Sequence, residues 1–315
     1  MKIGILGTAD IAFRRFLPAL QGCPDVVYAG VASRTIENAN RFIAAFGGQA
    51  YPSYDALLSD SSIDAVYVPL PPALHYEWGR KVLESGKHLL MEKPFTVSLA
   101  ETKSLLDLAR KKGLTVHENY MFLYHSQLES VKGLIADGTL GDLRLIRTAF
   151  GFPKRAGDDF RYNKKLGGGA LLDCGGYPVR LALELLGETV CVKQARLCKP
   201  AGYEVDLFGS AALENKDGLC AQVSFGMDNS YKCELEIWGS RASLAASRIF
   251  TAGPDVKPGL TLQFAAGEQK LELSQDDQFL HSIQEFLRNA DRVGNHDEKI
   301  RKQSALINRI QKEGF

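Results

Sequence analysis

The stretch Lys87-His88-Leu89-Leu90-Met91-Glu92-Lys93-Pro94 decides the fold of the first half of this chain. A short apolar run with helical patterns on both sides is typical of a central strand in a parallel sheet. In open parallel sheets, ligands bind in the crevice beyond the carboxyl ends of the strands. The sequence therefore predicts that Lys93 faces a ligand and that Pro94 stiffens the chain behind it. Taken alone, the motif also fits a solvated lysine at a strand end.

Short apolar strands alternate with amphipathic helices on both sides of this stretch, which is the pattern of a doubly wound parallel sheet. The predicted strands are Lys2–Leu6, Val26–Ala32, Ala65–Pro69, His88–Glu92 and Leu114–His117. The predicted helices are Ile11–Leu20, Thr35–Phe46, Ala73–Glu84 and Ser98–Lys111. We expect residues 1–122 to form one α/β domain of Rossmann type.

Residues 123–315 show a different pattern of predicted elements, with many short strands between two helical regions. Short turns between strands predict an α+β domain with a large, mostly antiparallel sheet, helices on one face and an open face for a partner. Asp217-Gly218 and, more weakly, Asp228-Asn229 predict hairpin turns. The expected helices are Gln127–Ala136, Phe279–Ala290 and Gln303–Lys312.

The composition excludes several classes of function. The 315 residues are 45% hydrophobic and carry a net charge of +1, which provides no general attraction for nucleic acid or anionic membranes. The amino terminus enters a strand at once and no apolar run is long enough to span a bilayer, so we expect a cytoplasmic protein. The six cysteines lack zinc-site spacing, so no metal is expected.

A dinucleotide site is predicted where the first strand runs into Gly7-Thr8-Ala9-Asp10-Ile11-Ala12. The dinucleotide fingerprint needs a glycine for a tight turn, followed by small residues that let the pyrophosphate approach the helix amino terminus. Gly7 keeps the first position, whereas the methyl group of Ala9 departs from the pattern. An ordinary strand-to-helix turn is the alternative for this motif by itself.

The end of the second strand indicates which dinucleotide binds. NAD-specific sites place an acidic residue there for the ribose 2′-hydroxyl, but this chain has Ser33 and Arg34, with no acid before Glu37. The planar guanidinium of Arg34 suits a phosphate dianion. We therefore predict NADP(H), against the alternative of an exposed arginine at a helix start.

Further cofactor contacts are expected where the next strands end. Pro69-Leu70-Pro71 follows one strand and predicts an ordered wall of the crevice, with His75 at the next helix start. Asn119 follows the last parallel strand and points to the same crevice. His75 also fits a buried core histidine, and Asn119 also fits a structural turn.

A second cluster, Gly167-Gly168-Gly169-Ala170-Leu171-Leu172-Asp173-Cys174-Gly175-Gly176-Tyr177, opens an apolar helix. Consecutive glycines allow close approach to another surface, and residues four apart on a helix share a face. Asp173 and Tyr177 are therefore candidate site residues, with Tyr177 predicted to project toward Lys93. An aromatic packing residue is the alternative for Tyr177.

These motifs resemble those of the glucose–fructose oxidoreductase, inositol dehydrogenase and rhizopine catabolism (Gfo/Idh/MocA) family over nearly the whole chain. The matching segments, in order, are Gly7–Ala12, Pro69–His75, Glu92-Lys93-Pro94, Glu118–Phe122 and Gly167–Tyr177. Many members carry histidine where Tyr177 stands, so the chain is similar to the tyrosine branch. Within that branch, its motifs look most like those of the nucleotide-linked 3-keto-6-deoxyhexose reductases.

The resemblance implies NADPH-dependent reduction of a keto group, at C3 of a nucleotide-diphosphate-linked (deoxy)hexose, by a homodimer or homotetramer that uses the open sheet face. Lys93 is the expected acid, because an ammonium group both stabilises and protonates the alkoxide that forms. Tyr177 would orient the hydroxyl or relay the proton, and Asp173 would orient Lys93 or bind the sugar. The expected cofactor contacts then include Glu92 and Lys93, and the expected substrate contacts are Lys93, Tyr120, Arg161, Tyr162, Tyr177 and Arg180.

The sequence is also compatible with two alternative functions. A dehydrogenase of free sugars or diols, of xylose, glucose–fructose or dihydrodiol type, would use the same lysine and tyrosine without a diphosphate pocket. A non-catalytic NADP-binding sensor would use the open sheet face to regulate a partner. The basic run between Lys154 and Lys165 is a candidate diphosphate contact, although such runs are also typical of solvated loops.

Overall fold

Six parallel strands form the first sheet of the computed structural model, which describes residues 1–290 and 297–315. The strands are β1 (Lys2–Leu6), β2 (Val27–Ala32), β3 (Gln49–Tyr51), β4 (Ala65–Val68), β5 (His88–Met91) and β6 (Val116–Glu118). Their order across the sheet is β3-β2-β1-β4-β5-β6, so β1 and β4 are central. The prediction of a doubly wound parallel sheet is confirmed.

Helices connect these strands, and local sequence explains their ends. They are α1 (Leu17–Gln21), which continues a π-helical turn at Ala12–Phe16, α2 (Ile36–Phe46), α3 (Tyr54–Leu58), α4 (His75–Glu84) and α5 (Leu99–Lys112). Ser98 caps α5 by accepting a hydrogen bond from the Glu101 amide, and Gly113 ends it in the left-handed region at φ 66°. These helices bury their apolar sides against the sheet.

The eight strands of the second sheet are mostly antiparallel, as predicted. They are β7 (Leu143–Gly151), β8 (Cys191–Cys198), β9 (Phe208–Glu214), β10 (Cys220–Gly226), β11 (Lys232–Gly239), β12 (Ala242–Ser247), β13 (Gly259–Phe264) and β14 (Gly267–Glu272). Their order is β14-β13-β12-β11-β7-β10-β9-β8, and β7–β10 is the one parallel pair within this sheet as far as the structure describes it. The remaining helices are α6 (Ser126–Ala136), α7 (Gly176–Leu186), α8 (Gln278–Ala290) and α9 (Asp297–Glu313).

Burial alternates along β10, where Ala221, Val223 and Phe225 are buried and the residues between them are exposed. Helix α7 packs against β7 and β10 on the buried face. The other face of the sheet is open within this unit. Strict alternation of this kind is what a sheet covered on one side requires.

One predicted hairpin is correct and one is wrong. Asp217-Gly218 joins the antiparallel pair β9 and β10, with Gly218 at φ 83°. Asp228-Asn229 joins β10 to β11, but these two strands lie on opposite sides of β7 and do not pair. The chain instead crosses the end of β7, where the Asn229 amide donates to the Phe152 carbonyl oxygen at 3.2 Å.

The chain divides into two compact units, Met1–Tyr120 with Phe279–Arg301, and Met121–Gln278 with Lys302–Phe315. The sequence analysis placed all of 123–315 in the second domain, so the membership of Phe279–Arg301 is a correction. Buried polar contacts explain it, because the Thr115 hydroxyl donates to the Asn289 carbonyl oxygen at 2.9 Å. Apolar periodicity does not reveal such a contact.

Among the described residues, no helix combines the length and the apolar composition that crossing a membrane requires.

Candidate active site

The turn that follows β1 needs glycine. Gly7 has φ +95°, and a methyl group there would lie 2.7 Å from the Leu70 Cδ2 atom. Its amide donates to the Ala32 carbonyl oxygen at 2.8 Å, which holds the turn against the end of β2. Asp10 is exposed and pairs with Arg14 one helical turn later. The segment Thr8–Ile11 thus starts the first helix at the carboxyl edge of the sheet.

A polar and cationic group follows β2. Ser33 Oγ lies 3.4 Å from Thr8 Oγ1 and accepts the Thr35 amide at 3.4 Å, while Arg34 is exposed. Burial raises the pKa of the Tyr54 phenol, and the nearby Arg34 charge opposes that rise. These residues fit the 2′-phosphate of NADP, because they offer a guanidinium and a hydroxyl and place no carboxylate at the strand end. Tyr54 was missed because its short helix carries no strong pattern.

His75 lies beneath the crevice wall rather than on its surface. Its side chain is fully buried, with Nδ1 2.7 Å from the Pro94 carbonyl oxygen and Nε2 2.8 Å from that of Leu70. Burial lowers the pKa of His75 to about 4, so at neutral pH the neutral ring donates to one of these oxygens. This position agrees with the alternative of a buried core histidine, which holds together the Pro69–Pro71 wall and the segment after β5, and a contact with the cofactor stays a prediction.

The carboxylate of Glu92 is held at the end of β5. Its Oε1 accepts from the Tyr67 hydroxyl at 2.7 Å and from Asn119 Nδ2 at 2.6 Å, and its Oε2 accepts from the Lys93 amide at 3.3 Å. Burial raises the pKa of Glu92, while these bonds and the Lys93 charge act against that rise. The partly exposed Lys93 therefore stands beside a fixed carboxylate.

Asn119 connects Glu92 to a helix that the sequence analysis did not associate with the site. The buried Asn119 accepts through Oδ1 from the Ser282 hydroxyl at 2.8 Å, and Ser282 Oγ lies 2.9 Å from His117 Nε2. Ser282 was missed because a serine within an amphipathic helix carries no signal for a partner 163 positions away. Tyr120, which follows Asn119, is 1% exposed.

In the second unit, the glycine-rich cluster makes the predicted close approach. The amides of Gly168 and Gly169 donate to the carbonyl oxygens of Asn163 and Arg161 at 3.0 and 2.9 Å. A methyl group on Gly168 would lie 2.3 Å from the Arg161 carbonyl oxygen. The cluster thereby packs the segment that carries Arg161 directly against the start of the next helix.

The variant Gly168→Ala tests this packing. We expect it to lower the free energy of unfolding by roughly 1–3 kcal/mol, because backbone must move to admit the methyl group. Gly157→Ala is the matched control in the same loop, since nothing lies within 4 Å of a methyl group there. Denaturant titration of both variants measures the difference, and equal stability of the two would contradict this account of the close approach.

Asp206 caps the π-helical segment Leu171–Gly175, which carries Asp173 and leads directly into α7. Its carbonyl oxygen accepts the Ala170 amide at 2.9 Å, and its Oδ2 accepts the Leu171 amide at 2.7 Å. Burial raises the pKa of Asp206, and the hydrogen bonds oppose the rise. Sequence reasoning missed this cap because it comes from a residue 35 positions after the helix start.

Asp173 and Arg161 form a partly buried ion pair, with Arg161 Nε 2.7 Å from Asp173 Oδ2. Arg161 also contacts Asp159 at 3.1 Å, so one guanidinium joins two carboxylates. The structure thus brings together two predicted site residues within one unit. Tyr162 lies beside them, and its hydroxyl oxygen accepts the Arg155 amide at 2.9 Å.

Tyr177 is enclosed by aromatic rings. Its ring centroid lies 5.0 Å from that of Phe150, 5.7 Å from that of Phe250 and 5.9 Å from that of Phe122. The hydroxyl lies 4.0 Å from the Met121 sulfur, and the residue is 6% exposed. The ring of Tyr177 therefore packs as the alternative interpretation expected, and its role as a site residue stays a prediction.

Arg180 is not an exposed phosphate contact. It is 5% exposed and its guanidinium pairs with Glu184 one turn later at 3.2 Å. An arginine buried with a partner carboxylate balances charge within the helix. The exposed cations of this unit near Arg161 are instead Lys154, Arg155, Lys164 and Lys165.

One unit has a parallel sheet with a glycine turn after β1, a serine and an arginine suited to a 2′-phosphate after β2, and a lysine after β5. Together with the open-sheet unit, these features define a two-domain Rossmann-type oxidoreductase. The chain belongs to the Gfo/Idh/MocA family. Residues 1–120 match the model described as "Oxidoreductase family, NAD-binding Rossmann fold", and residues 128–245 match the "GFO/IDH/MocA C-terminal domain".

Two curated proteins show which members of the family this chain is similar to. The chain is 42% identical over 295 residues to a dTDP-3,4-didehydro-2,6-dideoxy-alpha-D-glucose 3-reductase of Streptomyces violaceoruber, covering 93% of this chain and 86% of that protein. It is 35% identical to D-xylose 1-dehydrogenase (NADP(+)) 2 of Haloferax volcanii, covering 83% and 80%.

Solved structures of other proteins share the fold of this chain. The crystal structure of KijD10, a 3-ketoreductase from Actinomadura kijaniata, in complex with NADP and TDP-benzene superposes with a TM-score of 0.97 at 36% identity. The match covers 100% of this chain and 98% of KijD10. The aldose–aldose oxidoreductase of Caulobacter crescentus, at 21% identity and a TM-score of 0.89, shares the fold.

Proposed function

We propose that this protein is an NADPH-dependent reductase of the C3 keto group of a dTDP-linked deoxyhexose. The observation that carries the proposal is the placement of Lys93 beside the fixed Glu92 carboxylate, beyond the end of strand β5 of the dinucleotide-binding sheet. The 42% identity to a dTDP-sugar 3-reductase and the likeness to KijD10 support the substrate class.

The residues around the first sheet support NADP(H) as the cofactor. The Gly7 turn and the helix start that follows would hold the pyrophosphate, and Arg34 with Ser33 would hold the 2′-phosphate. Pro69–Pro71 would form the wall beside the nicotinamide. When bound, NADPH supplies the hydride for the reduction.

The residues of this protein must stabilise and protonate the negative charge that forms on the substrate oxygen. As a ketone carbon is reduced, its oxygen becomes an alkoxide that needs a proton and a positive neighbour. The ammonium group of Lys93 supplies both, and together these effects lower a barrier by several kcal/mol, roughly 10²–10⁴-fold for proton transfer alone. The carboxylate of Glu92 lies close enough to Lys93 for the two charges to interact. Tyr177 is proposed as a second hydroxyl partner of the sugar.

The second unit is proposed to bind the nucleotide diphosphate. Arg161 and Tyr162 are held in place by Asp173, Asp159 and the glycine cluster, while exposed cations flank them. Phosphate groups bind to such clusters of guanidinium and ammonium groups. Asp173 is then proposed to position Arg161.

Protection against heat tests the substrate class. At a concentration 100 times its Kd, dTDP should stabilise the NADP complex by about 2.7 kcal/mol, which raises Tm by roughly 5–10 °C. Xylose and glucose at the same concentration should leave Tm unchanged, because they lack the diphosphate. A shift with free xylose and none with dTDP would contradict the proposal.

The second candidate is an NADP-dependent dehydrogenase of a free sugar. It is favoured by the 35% identity to the D-xylose 1-dehydrogenase of Haloferax volcanii. The exposed cations between Lys154 and Lys165 argue for the nucleotide-linked substrate, since a neutral sugar needs no cation.

The open sheet face is proposed to join copies of this chain into a dimer or tetramer. Phe208 and Trp238 are 43% and 40% exposed on that face, and exposed aromatic side chains are enriched at interfaces. The enzyme is proposed to act in the cytoplasm, in the biosynthesis of deoxysugars.

A further inference from the structure

A series of mostly buried hydrogen bonds links His117 on β6 and Ser282 on α8 to Glu92 at the end of β5. It begins at His117 Nε2, which lies 2.9 Å from Ser282 Oγ. It continues from Ser282 to Asn119 Oδ1 at 2.8 Å, and from Asn119 Nδ2 to Glu92 Oε1 at 2.6 Å. His117, Ser282 and Asn119 are each no more than 2% exposed, so water does not replace these bonds.

The direction of every bond in this chain follows from the groups that take part. A carboxylate accepts and does not donate, so the amide nitrogen of Asn119 faces Glu92. The amide oxygen then faces Ser282, whose hydroxyl must donate to it. Ser282 Oγ is left to accept, so His117 carries its proton on Nε2. One serine hydroxyl therefore sets the orientation of the Asn119 amide.

This series of hydrogen bonds ends at Glu92, the residue beside the proposed acid Lys93. Two donors, Asn119 and Tyr67, converge on Glu92 Oε1, and the other carboxylate oxygen accepts the Lys93 amide at 3.3 Å. If Asn119 lost its partner on α8, its amide would be free to turn, and Glu92 would lose one of its two side-chain donors. The carboxylate would then no longer be fixed beside Lys93.

We propose that Ser282 is a positioning residue of the reductase, which acts through Asn119 and Glu92 to hold Lys93 in its productive place. The inference rests on the proposed function, because it assumes the role of Lys93 in ketone reduction. A displacement of about 1 Å at a reacting group slows a reaction by up to about 10²-fold. We therefore expect Ser282→Ala to slow the chemical step by about 10-fold to 100-fold.

Single-turnover kinetics separate positioning from folding. Enzyme loaded with one equivalent of NADPH per binding site, with no free NADPH present, is mixed with excess dTDP-linked 3-keto sugar, and the loss of NADPH is followed. In Ser282→Ala the rate constant should fall while the amplitude stays near one NADPH per binding site, whereas partial unfolding would lower the amplitude. Ser282→Thr, which keeps the hydroxyl, should recover most of the rate.

Thr115→Val is the matched control. It removes another buried hydroxyl, which donates a hydrogen bond to the Asn289 carbonyl oxygen on α8. The hydrogen bonds that lead from His117 to Glu92 stay intact. Its rate constant should equal that of the wild type. If Ser282→Ala and Thr115→Val have the same rate constant, the inference is wrong.

A second variant covers the case in which Ser282→Ala does not fold. Ser282→Cys keeps the size of the side chain but donates weakly, so the same fall in rate constant is expected and an unchanged rate constant would overturn the inference. The wild-type enzyme is measured first. If it does not turn over the keto sugar, the proposed function fails, whereas wild-type turnover with unaffected Ser282 variants rejects the inference alone.

Discussion

Replacing Lys93 by methionine is expected to lower kcat for keto-sugar reduction by about 10³-fold, while the Kd for NADPH changes little. Methionine keeps much of the length of the side chain but removes the proton and the positive charge, which contribute roughly 10²–10⁴-fold in general acid catalysis. Steady-state kinetics and a fluorescence titration with NADPH measure the two quantities. Both are needed, because loss of cofactor binding would also abolish turnover.

Tyr177→Phe is the companion variant for this prediction. It should cost less than Lys93→Met, because the ring would stay in its aromatic cluster and Lys93 could still donate the proton. Near-wild-type kcat in Lys93→Met would refute the assigned role. A larger loss in Tyr177→Phe than in Lys93→Met would transfer the role of acid to the tyrosine.

Replacing Arg34 by alanine is expected to lower kcat/KM for NADPH by roughly 30-fold to 100-fold and to leave kcat/KM for NADH nearly unchanged. A hydrogen-bonded guanidinium contributes about 1.5–3 kcal/mol to binding a charged group, and only NADPH carries the 2′-phosphate. Parallel kinetics with the two cofactors measure the change in preference.

Arg80→Ala serves as the control for the loss of a positive charge. Arg80 is exposed on α4 and pairs with Glu84, so its removal should affect both cofactors equally and weakly. If the wild type uses NADH as well as NADPH, or if Arg34→Ala keeps the full preference, the cofactor prediction is wrong.

Local sequence patterns predicted the first sheet well. A strand followed by a glycine and a helix start has a single arrangement in a βαβ unit, so the turn at Gly7 is readable from adjacent residues. The three-residue strand β3 was missed because it is too short for periodicity. Its pairing depends on Gly30, where a methyl group would lie 1.9 Å from the Gln49 carbonyl oxygen.

Contacts between distant residues were not predictable from one sequence. Ser282 reaches Asn119 across 163 positions, and Asp206 caps a helix that begins before it in the chain. The sequence offers no periodicity for either contact. The pairing of Arg180 with Glu184 differs from these contacts, because an arginine and a glutamate four residues apart on a helix can be expected to pair from the sequence alone.

The central claim is that this protein reduces C3 of a dTDP-linked sugar with the aid of Lys93. Its most direct test uses NADPH deuterated at the transferred position of C4, with a dTDP-linked 3-keto deoxyhexose, and locates the label by NMR of the product. We predict deuterium on C3 of the sugar with the wild-type enzyme and almost none with Lys93→Met. Label at another carbon, or equal labelling by the two enzymes, would contradict the account.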